Sequence, residues 1–166
     1  MIKISCYKTK QDLLAKAFCQ LAQKCYSNSI NTCVIANNSD FVMELDRVLW
    51  TYSKKYFIPH ATSQDPFHQE QPIYITHSIE NPNNSKIIIL VNATEDNLLK
   101  LFSSTSDVKL NTIEKIMIIF DDVQRMQFSE IKALLLKTKF NNSEISLFEQ
   151  LNSGTWQATS EQIHNL

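Results

Sequence analysis

Residues 115–124, KIMIIFDDVQ, set two aspartates, Asp121 and Asp122, at the end of an apolar strand, the place where nucleotide-hydrolysing proteins hold magnesium. That chemistry also needs a glycine-rich loop whose backbone N–H groups wrap phosphate. The chain contains one glycine, Gly154, near its C-terminal end, so neither a phosphate loop nor a dinucleotide fingerprint can be written. The aspartates are therefore expected to start a turn and cap the following helix. With Glu130-Ile131-Lys132 they also spell the acid…Glu-x-Lys order of a metal-dependent nuclease, the alternative reading, in which Asp121, Asp122 and Glu130 would hold the metal. Such a site needs Glu and Lys on one side of a strand. The segment has helical period instead, which turns Glu130 and Lys132 roughly 200° apart about the axis. His60, Asp65 and His68 share one connection and would be loose ligands without a preformed scaffold. Cys6, Cys19, Cys25 and Cys33 lack CxxC spacing and are expected to be reduced, buried, small hydrophobes. No catalytic set, metal or cofactor is expected.

What the chain offers instead are surfaces. Trp50, Tyr52, Tyr56, Phe57, Ile58, Pro59 and Phe67 crowd around the connection at 53–72, where one core cannot absorb them all. An apolar, aromatic loop of that kind suits protein docking. Farther on, Arg125, Phe128 and Lys132 stand at i, i+3 and i+7, which on one helix makes a cation–aromatic–cation stripe suited to an acidic peptide with an apolar anchor.

The elements that must carry these residues alternate. Strands are expected at 2–7, 32–36, 73–76, 86–91, 113–120 and 145–148, and helices at 11–26, from Ser39 or Asp40 to about Trp50, at 94–102 capped by Thr94, and at 123–140. The middle strands are apolar throughout, the mark of a parallel sheet covered on both faces. The expected fold is a three-layer α/β/α sandwich with a mostly parallel sheet, one domain over 1–166 with a flexible tail at 153–166. A net charge of −1 leaves no basic surface for naked DNA. No apolar run reaches membrane-spanning length, and the N-terminal MIKISCYKTK lacks a signal core, so a cytoplasmic protein is expected.

Leu45-Asp46-x-x-Leu49-Trp50 followed by Phe57-x-Pro59-His60 resembles the signature of the chi subunit of bacterial DNA polymerase III. An opening strand and long helix, a strand ending in Phe120-Asp121, a lysine-bearing last helix and a closing Thr155-Trp156 fall in the same order. The resemblance implies a non-catalytic accessory subunit of the clamp-loader assembly that touches DNA only indirectly. It implies two partners, the acidic C-terminal tail of single-stranded-DNA-binding protein and a psi or other clamp-loader subunit. Chi proteins take the tail on a basic patch beside an apolar pocket of the last helix. The matching run here is Phe128-Ser129-Glu130-Ile131-Lys132, which keeps the lysine and lacks both arginines of the pattern. Arg125, Phe128, Ile131 and Lys132 are then the tail-binding residues, Trp50, Phe57, Ile58, Pro59 and His60 face the psi side, and tail binding should be weaker than is usual in the family.

Overall fold

A computed structural model describes residues 2–103, 108, 110–138, 140 and 143–159. Strands β1 (Lys3–Thr9), β2 (Thr32–Ala36), β3 (His60–Thr62), β4 (Ile73–Thr76), β5 (Ile87–Val91), β6 (Lys115–Asp121), β7 (Ile145–Gln150) and β8 (Trp156–Ala158) form one sheet. Its order is β3-β4-β2-β5-β6-β1-β7-β8. All neighbouring strands are parallel except β7 and β8, which pair antiparallel. Helices α1 (Leu14–Ser27), α2 (Ser39–Thr51), α3 (Glu95–Phe102) and α4 (Phe128–Leu136) cover the two faces. The fold is an α/β three-layer sandwich.

The two-residue period of a strand explains why both faces are apolar. Along β5, Ile87, Ile89 and Val91 join the core beneath α1 and α2, while Ile88 and Leu90 join the core beneath α3 and α4. Strand β6 divides in the same way, with Met117 and Ile119 toward the first core and Ile116, Ile118 and Phe120 toward the second. Helix α1 buries Leu14, Ala17, Phe18, Leu21, Ala22 and Cys25, the stripe its 3.6-residue period predicts. All four cysteines are free and buried, and burial pushes the thiols of Cys6 and Cys19 up to about 12.

Helix starts depart from expectation twice. The cap of α2 is Asn38, whose extended backbone lets its side chain accept from the Phe41 N–H at 2.9 Å, so Ser39 and Asp40 lie inside the first turn. Helix α4 was expected from residue 123 and begins at Phe128. Residues 122–127 form a loop in which Asp121 Oδ1 accepts from the N–H groups of Val123 at 3.0 Å and Gln124 at 2.8 Å, and Gln127 Nε2 occupies the Asp121 and Gln124 carbonyls that a longer helix would use. Gln127 and Glu130 then form a reciprocal capping box that starts the helix. The helix ends at Leu136, and Lys139, within the expected span, lies outside the described residues. Thr94 caps α3 as expected, in a capping box with Asn97. Two short edge strands, β3 and β8, arise where no period is legible. Gly154, at φ +84°, turns the chain between β7 and β8, and the Gly154 N–H donates to the Leu151 carbonyl at 2.8 Å.

Candidate partner-docking site

Helix α2 carries Leu45 and Leu49 inward, both buried, and Asp46 and Trp50 on an adjoining flank one turn apart. The loop after α2 folds back on that flank. Ser53 starts the fold-back, its Oγ accepting from the N–H groups of Lys55 at 3.2 Å and Tyr56 at 3.1 Å. Ile58 then plugs into the core at 2% exposure, and half-buried Pro59, with its fixed φ, leads the chain into β3. His60, the first residue of β3, is buried and pinned on both ring nitrogens. Nδ1 lies 2.7 Å from the Ile58 carbonyl, and Nε2 lies 3.3 Å from the Asp46 carbonyl and 3.4 Å from its carboxylate. Burial holds the Asp46 carboxyl above its ordinary value, and the nearby His60 works against that shift.

Above this lock sit the rings. Trp50 stands 4.9 Å from the His60 ring and 5.5 Å from Phe57, centroid to centroid. Trp50 is nevertheless 59% exposed and Phe57 62%. Two large apolar rings in mutual contact are thus left largely in water. Of the five residues expected on this side, Trp50 and Phe57 present themselves outward. Ile58 and His60 are buried, which corrects the expectation that they face a partner; Ile58 lies in the core and the His60 ring lies against Trp50. Two residues escaped the sequence reading. Asp46 is the fastener for His60, and Met43, 70% exposed, lies two turns before Trp50 on the same flank of α2. The seven-residue spacing of Met43 and Trp50 is the signal that would have found the latter.

The other expected surface is rearranged. Phe128 is 8% exposed and Ile131 1%, both in the core beneath α4, and Arg125 stands in the loop before the helix. The stripe of Arg125, Phe128 and Lys132 on one helix therefore does not exist. Half-buried Lys132 has as its i+4 neighbour Leu136, 51% exposed, so the outward cation–apolar pair of α4 is Lys132 with Leu136.

The acidic residues are engaged elsewhere. Besides its two turn N–H donors, Asp121 accepts from Asn92 Nδ2 at 2.8 Å through Oδ2. Asp122 Oδ1 accepts from the Gln11 N–H at 3.1 Å, and Glu130 serves the α4 cap. Asp65 binds the Thr62 N–H at 2.7 Å and its hydroxyl at 2.9 Å, while the His68 ring lies 5.2 Å from that of Tyr74. Among the described residues no three His, Cys, Asp or Glu side chains gather where a metal could bind.

Two comparisons bear on this geometry. A family model described as "DNA polymerase III chi subunit, HolC" matches residues 1–129. The chain belongs to this family. A "Probable DNA polymerase III subunit chi" from Rickettsia prowazekii (strain Madrid E) is 33% identical over 159 residues, covering 94% of this chain and 91% of the relative. The protein is thus a replication accessory subunit of the DNA polymerase III chi family. The stretch matched by the chi model includes the whole Trp50–His60 cluster and ends at the start of α4, so Lys132 and Leu136 lie beyond it. Among the described residues of this chi-family chain, no helix is long and apolar enough to cross a membrane.

Proposed function

We propose that this chain is a non-catalytic bridging subunit. It docks on psi or another clamp-loader subunit through Trp50 and Phe57, and it takes the acidic C-terminal tail of single-stranded-DNA-binding protein at α4. The observation that carries the reading is the pair of exposed rings, Phe57 against Trp50 and Trp50 against a buried His60 that the half-buried Asp46 holds. A mobile aromatic would lose side-chain entropy on binding, whereas a clamped one has already lost it. Helices α2 and α4 lie on opposite faces of the sheet, so two partners can be held at once, which is what a bridge requires.

The tail surface is thinner than the family pattern. Lys132 and Arg125 come from different elements, with Leu136 and Val123 as the exposed apolar side chains nearby in sequence. Charge-assisted contacts contribute roughly 1.5–3 kcal/mol each when partly desolvated. Calorimetric titration with a peptide of that tail should show weak binding that fades as salt rises. Lys132→Ala should lose about ten- to a hundredfold, at about 1.4 kcal/mol per decade. Equal affinity in parent and Lys132→Ala would move the site off α4, and no binding at low salt would remove tail capture from the reading. Docking is tested separately, by co-purification of Phe57→Ala with the clamp-loader assembly. Retention equal to the parent's would remove the aromatic pair as the anchor.

A further inference from the structure

On the α1 side of the sheet, helix cover runs out toward β7 and β8. Helix α1 lies over β2 and β6, and among the described residues no helix packs on β7 or β8. Tyr7 of β1, Phe148 of β7 and Trp156 of β8 fill this place, Tyr7 stacking on Phe148 at 5.1 Å and meeting Trp156 edge-on at 5.1 Å. Between this aromatic wall and α1 runs an open groove of about 420 Å³, lined also by Gln20, Lys24 and Lys115. Phe148, Trp156 and Lys115 are half-buried, and Lys24 is exposed.

Lys24 and Lys115 line the groove together, and among the described residues neither has a carboxylate within ion-pair distance, as holds for most of the described lysines. Lys115 is held below its ordinary value first by burial and then by the charges of Lys24 and Lys3, with Cys25 acting in the opposite direction. Cations gathered without an anion, one of them partly desolvated, raise the energy of the free protein, and an incoming anion removes that cost. A lysine ammonium is a point charge that suits phosphate, and the exposed part of an aromatic wall suits a flat base.

We propose that this groove binds a single nucleotide unit, with the base against Trp156 and Phe148 and the phosphate between Lys24 and Lys115. This site is separate from the docking cluster and from α4, and the proposal stands or falls without them. It uses no glycine loop, so the affinity rests on side-chain charge and stacking and is modest. A groove of about 420 Å³ suits one nucleotide unit, and a net charge of −1 gives no basic surface to extend it along a tract of nucleic acid. That nucleotide is either free or a terminal residue of a single strand, and the two sources share this chemistry.

The chain's two tryptophans, Trp50 and Trp156, make the test direct. In a Trp50→Phe background Trp156 is the sole reporter, and its fluorescence is followed during titration with dAMP, deoxyadenosine, inorganic phosphate and a 5′-phosphorylated oligothymidylate at low salt. Saturable quenching by dAMP, at least tenfold weaker with deoxyadenosine and lost in Lys115→Gln, is the expected result. Tighter binding of the oligonucleotide than of dAMP assigns the site to strand ends, and the reverse assigns it to free nucleotides. Should Lys115→Gln fail to fold, Lys24→Gln on the exposed flank of α1 carries the same comparison. Equal response to nucleotide and nucleoside, unchanged titrations in both lysine variants, or no saturable quenching overturns the proposal.

Discussion

Exposure and burial separate residues of one short stretch of sequence. Trp50 and Ile58 both lie within residues 45–60, yet Trp50 is largely in water and Ile58 is sealed in the core beneath α2. Ile58→Ala should therefore cost about 2–5 kcal/mol of stability, by lost transfer energy and the cavity it leaves. Trp50→Ala should cost under about 1 kcal/mol of stability while weakening clamp-loader docking tenfold or more, since truncating an interface anchor removes about 2 kcal/mol or more. Chemical denaturation of both variants, beside a binding assay, checks the split. A large loss of stability in Trp50→Ala would make the ring a packing residue. Asp65 gives a second residue-scale outcome. Its bonds to Thr62 hold the carboxyl below the ordinary aspartate value of 3.8. A depressed acid stabilises the fold above that value and loses the contribution as pH falls through the lower folded value. Asp65→Ala should thus lie below the parent near neutral pH by under about 1 kcal/mol, since the group is exposed. The gap should close in acid, as melting curves across pH would show.

Helix starts are decided by which short polar side chain can reach an unpaired N–H. Asn38 does so for α2, and Asn38→Ala should cost about 0.5–2 kcal/mol, whereas Ser39→Ala, one residue later, should change little. Comparing the two by thermal unfolding tests the cap, and a larger loss at Ser39 would shift the helix start. At α4 the same competition overrode helical period. The run from residue 123 carries apolar residues at helical spacing, but the Asp121 side chain holds the N–H groups of Val123 and Gln124 in a turn, and the Asp121 and Gln124 carbonyls that a longer helix would use are taken by a side chain. Gln127 reinforces the loop by donating to the Asp121 carbonyl at 3.1 Å and also to the Gln124 carbonyl. This one turn places Arg125 off the helix and redraws the surface expected there.

Across the whole molecule, the strands in the middle of the order carry the two cores, and the ends of the order are short. Strands β5, β6 and β1 have hydrogen-bonded neighbours on both sides, while β3 and β8 have three residues each and one neighbour. Native-state hydrogen exchange should find the slowest amides in β5 and β6 and the fastest strand amides in β3 and β8. Protection in β8 equal to that in β6 would contradict this gradient. The gradient also bears on the proposed functions, because both the aromatic loop at 50–60 and the groove beside Trp156 are anchored to these weak edges. His60 begins β3, and Trp156 begins β8.

Hydrophobic period made the three layers, the parallel core strands and the buried stripe of α1 legible in the residues themselves, because a strand with two buried faces and a helix with one each write a distinct pattern. The single glycine likewise leaves no phosphate loop to be written. Residues 45–60 marked a family and an aromatic cluster, but not which side chains face out. That division was decided by tertiary structure, since the Asp46–His60 contact joins residues fourteen apart, and only chain reversal at Ser53 brings them together. The Tyr7, Lys115 and Trp156 groove was invisible for the same reason. Its walls come from β1, β6 and β8, and nothing local records which strands become neighbours when the sheet closes.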